Sequence, residues 1–341
     1  MQEPVDVIRI LQTAFGFWSS KTLLSAVELG VFSALDDRAL TAAELGKDVG
    51  VHPRAQRDFF DALVCMRFLE REGDGEDALY RNTEAAKLYL DERSSQYIGG
   101  ALEMASARLY RFWNDLPKAL RTGSPQNEVR HTGKPLFEAL YSELPRLEQF
   151  LGAMVGFSRH NIDVFAERFD FSRYKTLCDA GGATGLLSIT VAKRHPHMRL
   201  TTFDLPAVEP IARRRVEAEG LADRVMVVSG DFFEDPLPKA DVITMGLVLH
   251  DWSLPQKKHL IRAAYDALPP GGAFVAIENL IDDARRENLF GLLSSLNMLI
   301  ETSGGFDFTA ADFRAWCKEA GFERFEIIPL EGPASAAVAY K

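Results

Sequence analysis

Residues 241–255 read Asp241-Val-Ile-Thr-Met-Gly-Leu-Val-Leu-His250-Asp251-Trp252-Ser-Leu-Pro255, and this stretch decides the fold. Val242, Ile243, Met245, Leu247, Val248 and Leu249 make a near-continuous apolar run, the mark of a strand covered on both faces. Ser253 suits an N-cap and Pro255 a first helical turn, so a helix opens directly after the strand. His250 therefore sits just past the C-terminal end of a central strand, where open α/β sheets gather their ligands.

Working outward, strands are expected at Thr176–Asp179, Arg199–Asp204, Arg224–Ser229, Asp241–Leu249 and Ala273–Glu278. Helices open between them near Thr184, Ala207 and Pro255. Such alternation implies a parallel, doubly wound sheet. In a sheet ordered 3-2-1-4-5 the strands ending at Leu249 and Glu278 are neighbours, roughly 5 Å apart. Topology alone therefore lets His250 and Glu278 meet above the sheet edge.

The loop Asp179-Ala-Gly181-Gly182-Ala183-Thr184-Gly185 joins the first of these strands to its helix. Glycines there allow a tight turn and a close approach to a ligand. The spacing is G-G-x-x-G rather than the G-x-G-x-x-G of dinucleotide binders, and Asp179 would repel a pyrophosphate while suiting a cation. Asp204, ending the second strand, can hold ribose hydroxyls. Asp231 can accept from an adenine amino group while Phe232 covers the ring. A nucleoside with a positive centre satisfies all three positions, and S-adenosylmethionine (SAM) fits that description.

Six ordered segments now carry a resemblance. They are the Asp179–Gly185 loop, Phe203-Asp204-Leu205-Pro206, Gly230-Asp231-Phe232-Phe233, Pro238-Lys239-Ala240-Asp241, Leu249-His250-Asp251-Trp252 and Leu268-Pro-Pro-Gly-Gly272. Together they resemble the caffeate/acetylserotonin-type O-methyltransferases over almost the whole chain. The resemblance implies a SAM-dependent enzyme, with S-adenosylhomocysteine as product. It implies a Rossmann-like, seven-stranded class I methyltransferase domain preceded by a helical, winged-helix-like dimerisation domain. Gly181, Asp204, Asp231 and Phe232 match cofactor positions, with Gly182, Gly185 and Leu205 beside them. Met154 and Ser158 match residues that line the cofactor and reactive-methyl region. His250 matches the catalytic base, Glu278 a carboxylate that steadies it, and Asp307 a second glutamate of plant members, one methylene shorter here. Gly246 stands where plant members carry a cofactor-contacting lysine, and Ala183 replaces a third loop glycine. Asp251 and Trp252 read equally as cofactor contacts and as residues that cap and pack the helix from Ser253. Glu301 is a reserve pocket carboxylate, and His131 falls in a loop that could reach the pocket. Phe112, Trp113 and Phe157 are candidate ring contacts.

The front of the chain reads as helices with one short wing. Thr41-Ala-Ala-Glu44 is a capping box and Gly50 closes the helix it opens. A second helix, Arg54 to Phe68, precedes a small hairpin, which makes a winged-helix pattern. Its charges oppose DNA binding: Arg54, Arg57 and Arg67 face Asp58 and Asp61. The apolar stripe Phe15-Gly-Phe17-Trp18 with Leu23, Leu24, Val27 and Leu29 reads by itself as core, while the resemblance implies that this region builds a homodimer interface, the reading favoured here. Domains are expected at 1–105 and 106–341, the second comprising a helical pocket segment over 106–170 and a Rossmann-like core over 171–341.

The chain of 341 residues carries 39 Lys+Arg against 49 Asp+Glu, an acidic balance that disfavours nucleic acid and anionic membranes. Three widely spaced cysteines, Cys65, Cys178 and Cys317, suit a reducing, cytoplasmic setting. No readable signal peptide or membrane span is present, and no metal is called for. The expected reaction is methyl transfer to a hydroxyl, phenolic by preference, of a small aromatic or polyketide-like molecule. Transfer to carbon or nitrogen, and a SAM-binding regulator without turnover, stay open as alternatives.

Overall fold

The computed structural model describes residues 6–128 and 144–341, so His131 lies outside the described residues. The chain divides into two compact units: residues up to Arg111 with Gly152–Gly156, and Phe112–Leu151 with Phe157–Lys341. The division after Arg111 falls within a continuous helical run from Gly99 to Thr122.

In the first unit Thr41 and Glu44 form the reciprocal capping box that opens helix Ala42–Asp48. Helix Pro53–Cys65 begins on His52, whose ring accepts from the Arg54 amide at 3.2 Å. It stops short of the expected Phe68 because Arg67 adopts a left-handed φ of 63°. Strands β1 (Leu40–Thr41), β2 (Leu69–Glu72) and β3 (Leu79–Asn82) pair antiparallel in the order β1-β3-β2, so the wing adds a small sheet to a helical unit. Phe32, Leu35, Leu45, Phe60, Leu63 and Tyr80 form its core. The Tyr80 hydroxyl (2.8 Å) and Arg71 (2.7 Å) both donate to Asp61, which ties the helix to the wing. At the front, helix Val7–Ala14 buries no residue, and Val7, Ile8, Ile10, Leu11, Phe15, Phe17 and Trp18 stay exposed in the single chain.

The second unit holds a seven-stranded sheet of β4 (Thr176–Ala180), β5 (Arg199–Asp204), β6 (Val225–Ser229), β7 (Val242–Gly246), β8 (Ala273–Glu278), β9 (Arg324–Pro329) and β10 (Ser335–Tyr340). Their order is β6-β5-β4-β7-β8-β10-β9. Strands β4 to β8 pair in parallel, and β10 lies antiparallel between β8 and β9. The winding reverses between β4 and β7, which opens a crevice at their C-terminal ends.

The strand expected to reach Leu249 ends at Gly246. Leu247 takes a left-handed φ of 52°, makes the last ladder bond to the Ile277 carbonyl at 2.9 Å, and leads into a 3₁₀ turn, Leu249–Asp251. Val248 and Leu249 remain buried, so the turn is as apolar as the strand before it. Ser253 and Gln256 then form a capping box for helix Leu254–Ala267, with Pro255 in its first turn. Among the described residues no helix is long and apolar enough to cross a membrane.

Candidate active site

The 3₁₀ turn after β7 presents His250, which is buried with 8% of its surface exposed. Glu278, the last residue of β8, reaches across to it. One carboxylate oxygen meets His250 Nδ1 at 2.6 Å, while the other accepts from the Leu249 and His250 amides at 2.9 and 3.3 Å. A single buried carboxylate thus fixes both the turn and the ring. Nδ1 carries the proton of the neutral imidazole, which leaves Nε2 as the acceptor. Asp251 approaches that nitrogen from the same turn, with Oδ1 at 3.4 Å. Burial pushes the His250 pKa down, but the Glu278 and Asp251 carboxylates more than offset it and hold the imidazole well above 6.5.

Asp307 completes this cluster, as ligand atoms of His250, Glu278 and Asp307 all lie within 4.8 Å of one another. The shorter aspartate therefore comes close to the ring without bonding to it. Among the described residues neither of its oxygens has a hydrogen-bond partner of good geometry, and the Ser294 side chain is its nearby donor. Burial pushes its carboxyl up to about 6. Glu301, the reserve candidate, is buried at the end of helix Leu289–Glu301 and stands outside the cluster. Trp113 donates from Nε1 to Asn297 on that helix at 2.9 Å.

Two contributors were not foreseen in the sequence. A Cβ on Gly305 would lie 2.5 Å from the His250 carbonyl oxygen and 2.7 Å from the Asp251 carbonyl carbon, so only a bare backbone fits against the turn. Lys257, on helix Leu254–Ala267, is completely buried and donates to the Trp252 carbonyl. The signal for it was a lysine in the helix's apolar stripe with Leu260, Ile261 and Ala264.

The glycine loop lies on the other side of the crevice. Gly181 has φ +74°, and a Cβ there would strike Val248 at 2.7 Å and meet Phe232 at 3.7 Å. Asp204 stitches the loop to β5, accepting from the Ala183 amide at 2.8 Å and the Leu205 amide at 2.7 Å. Burial lifts its carboxyl to about 6 against those two donors. Asp179 is packed into the sheet, accepting from the Thr244 hydroxyl at 2.7 Å, and burial pushes it up to about 7. Its polar contact is thus with β7. A Cβ on Gly182 would overlap Thr202 and press on Asp179, and Gly185 caps helix Leu186–Arg194. Asp231 accepts from the Phe233 amide at 2.9 Å, which braces the turn that carries Phe232. Phe232 and Phe233 meet Trp252 edge to face, at 5.9 and 4.6 Å between centroids. The space beside Gly246 is open, with Ile277 Cβ at 4.0 Å from a hypothetical side chain. Met154 and Ser158, one turn apart on helix Leu144–Arg168, are both half-buried.

A doubly wound sheet with an antiparallel strand between its last two, and a glycine loop followed by two strand-end carboxylates, is the architecture of a class I methyltransferase. The O-methyltransferase domain model matches residues 113–323, and the O-methyltransferase dimerisation domain model matches residues 11–92. The tetracenomycin polyketide synthesis 8-O-methyl transferase TcmO of Streptomyces glaucescens is 40% identical over 332 residues, 97% of this chain and 96% of that one. The N,N-dimethyltransferase OxyT of Streptomyces rimosus is 36% identical over 314 residues, 92% of this chain and 90% of the other. The crystal structure of human N-acetylserotonin methyltransferase in complex with SAM superposes with a TM-score of 0.90 at 32% identity, covering 100% of this chain and 99% of that one. The chain belongs to the SAM-dependent O-methyltransferase family.

Proposed function

We propose that this enzyme methylates a phenolic hydroxyl of a small aromatic, polyketide-like acceptor, with His250 as general base. The observation that carries this reading is the 2.6 Å contact between His250 Nδ1 and Glu278 at the mouth of the β4/β7 crevice. The bare cradle at Gly181, walled by Val248 and Phe232, fits a nucleoside cofactor, with Asp204 and Asp231 at the adjoining strand ends. Gly182, Gly185, Leu205, Gly246, Trp252 and Ser158 would complete its surroundings. When bound, SAM supplies a methyl already activated by a sulfonium.

The protein's task is then alignment and removal of one proton. A phenol with a pKa near 10 is a weak nucleophile while protonated. His250 Nε2 accepts that proton as the oxygen attacks, and Glu278 holds Nδ1–H and stabilises the imidazolium that forms. The acceptor hydroxyl displaces Asp251 from Nε2. Asp307 adds a further carboxylate close to the ring.

The test is transfer of labelled methyl from SAM to a panel of phenols and hydroxylated quinones by wild type and His250→Ala. Loss of about 10²–10⁴ of the rate with S-adenosylhomocysteine binding retained is expected. A fully active variant overturns the base assignment. The likeness to an N,N-dimethyltransferase supports amine transfer as the second reading. Aromatic amines in the same panel, with the labelled position read by NMR, separate the two.

The dimerisation domain match and the exposed Val7–Trp18 face support a homodimer. The free thiols of Cys65, Cys178 and Cys317 support a reducing, cytoplasmic compartment.

A further inference from the structure

Lys257 is a buried charge with no part in the chemistry described so far. Among the described residues its one hydrogen bond runs to the Trp252 carbonyl, and its ammonium lies 3.8 Å from the Phe306 ring centroid and 5.9 Å from that of Phe308. Among the described residues no carboxylate oxygen lies within ion-pair distance of it. An ammonium buried with a single neutral acceptor is costly, and a leucine would continue the apolar stripe better. The compensation comes from the field of three carboxylates: Asp251 on the 3₁₀ turn, Glu278 at the end of β8, and Asp307 beyond helix Leu289–Glu301. Helix Ala310–Ala320 packs on the same helix but turns Glu319 to Lys258 at the surface, at 2.7 Å.

Those three carboxylates also surround His250. Unopposed, they would hold the ring as imidazolium far above neutral pH and leave no base. A second buried cation in the field of the same carboxylates works against them. Lys257 is placed for this, and it also touches the carbonyl that closes the turn on which His250 rides.

We propose that Lys257 is a positioning residue for His250: it anchors the Trp252 carbonyl, which closes the turn that carries the base, and sets a buried positive charge against the carboxylates around the ring. The inference rests on His250 as the base. Burial pulls the lysine's own pKa down to about 8, so the ammonium is still present at neutral pH.

The test compares wild type with Lys257→Gln, which keeps a donor for the Trp252 carbonyl, and Lys257→Met, which keeps neither donor nor charge. The His250 ring is titrated by NMR of labelled histidine, assigned with His250→Asn, and the pH dependence of methyl transfer is measured alongside. A unit charge within about 10 Å at an effective dielectric of ~20 moves a neighbouring pKa by about one pH unit or more. Both variants are therefore expected to titrate higher by that amount, with the rising limb of the rate moving alongside and activity at pH 7 falling about tenfold. Lys257→Met alone is expected to lose thermal stability as well. A ring midpoint unmoved in folded Lys257→Gln overturns the proposal.

Should neither single variant fold, Asp307→Asn and the charge-balanced Lys257→Met/Asp307→Asn pair carry the test. The double variant must titrate above Asp307→Asn, and equal midpoints overturn the proposal. A ring midpoint that moves while the rate limb stays fixed refutes His250 as base and leaves the electrostatic coupling standing. A mere packing role for Lys257 would lower stability and leave both titrations where they are.

Discussion

Glu278→Gln is the sharpest single perturbation of this site. In the native arrangement one carboxylate oxygen accepts two backbone amides, and the other accepts His250 Nδ1–H at 2.6 Å. A glutamine of the same shape must put its carbonyl oxygen toward the two amides, because its NH₂ would leave both without an acceptor. The NH₂ then faces Nδ1, which has to become an acceptor, so the neutral ring carries its proton on Nε2 and cannot take one from the substrate. The fold loses one charge-assisted bond, about 1–3 kcal/mol. The rate is expected to fall by about 10²–10⁴.

Charge gives a second signature. Glu278 is the foremost charge raising the His250 pKa, so the residual activity should rise at lower pH than in wild type. Stability follows the same linkage. Because the folded ring titrates above the unfolded value of about 6.5, its pairing stabilises the fold fully below that pH and is lost as pH rises through the folded pKa. The gap in stability between wild type and Glu278→Gln should thus be widest below pH 6.5 and narrow upward. Labelled-methyl assays across pH, calorimetric binding of S-adenosylhomocysteine and thermal melts read all three effects. Activity within about threefold of wild type, or an unmoved rate limb, would refute the tautomer argument.

Gly305→Ala places a carbon 2.5 Å from the His250 carbonyl oxygen, so the turn must move and kcat should drop by about 10²-fold, read in the same transfer assay. Ala183→Gly relieves a φ of 48° at a residue that pays the left-handed penalty, and a denaturant melt should show about 0.5 kcal/mol of stabilisation. Trp18→Asp with Phe17→Asp places charge on the exposed front face, and light scattering should report a monomer if that face seals the dimer.

The parallel sheet was legible because strands alternate with helices and three of its first five strands close on Asp, Ser or Glu, and Arg199–Asp204 and Ala273–Glu278 match the observed bounds. The end of β7 was not, since a buried turn and a buried strand share the same composition. His250 and Glu278 were legible from topology, being at the ends of neighbouring strands. Asp251's approach to Nε2 was hidden by its other plausible uses as cap or cofactor contact. Lys257 was readable only as a violation of helical periodicity, and Gly305's role depends on a backbone contact between segments more than fifty residues apart in the chain.

That contact matters to anyone who would retool the enzyme. The segment that presents Asp307 rests its bare backbone directly on the peptide that holds the base. A library that exchanges residues 289–303 must carry Gly304-Gly305 through every graft, together with Thr302, whose hydroxyl accepts from the Gly305 amide at 2.7 Å, and Ser295, whose hydroxyl accepts from the Asp307 amide at 3.2 Å. Put a side chain at Gly305, and a specificity redesign becomes an inactivation.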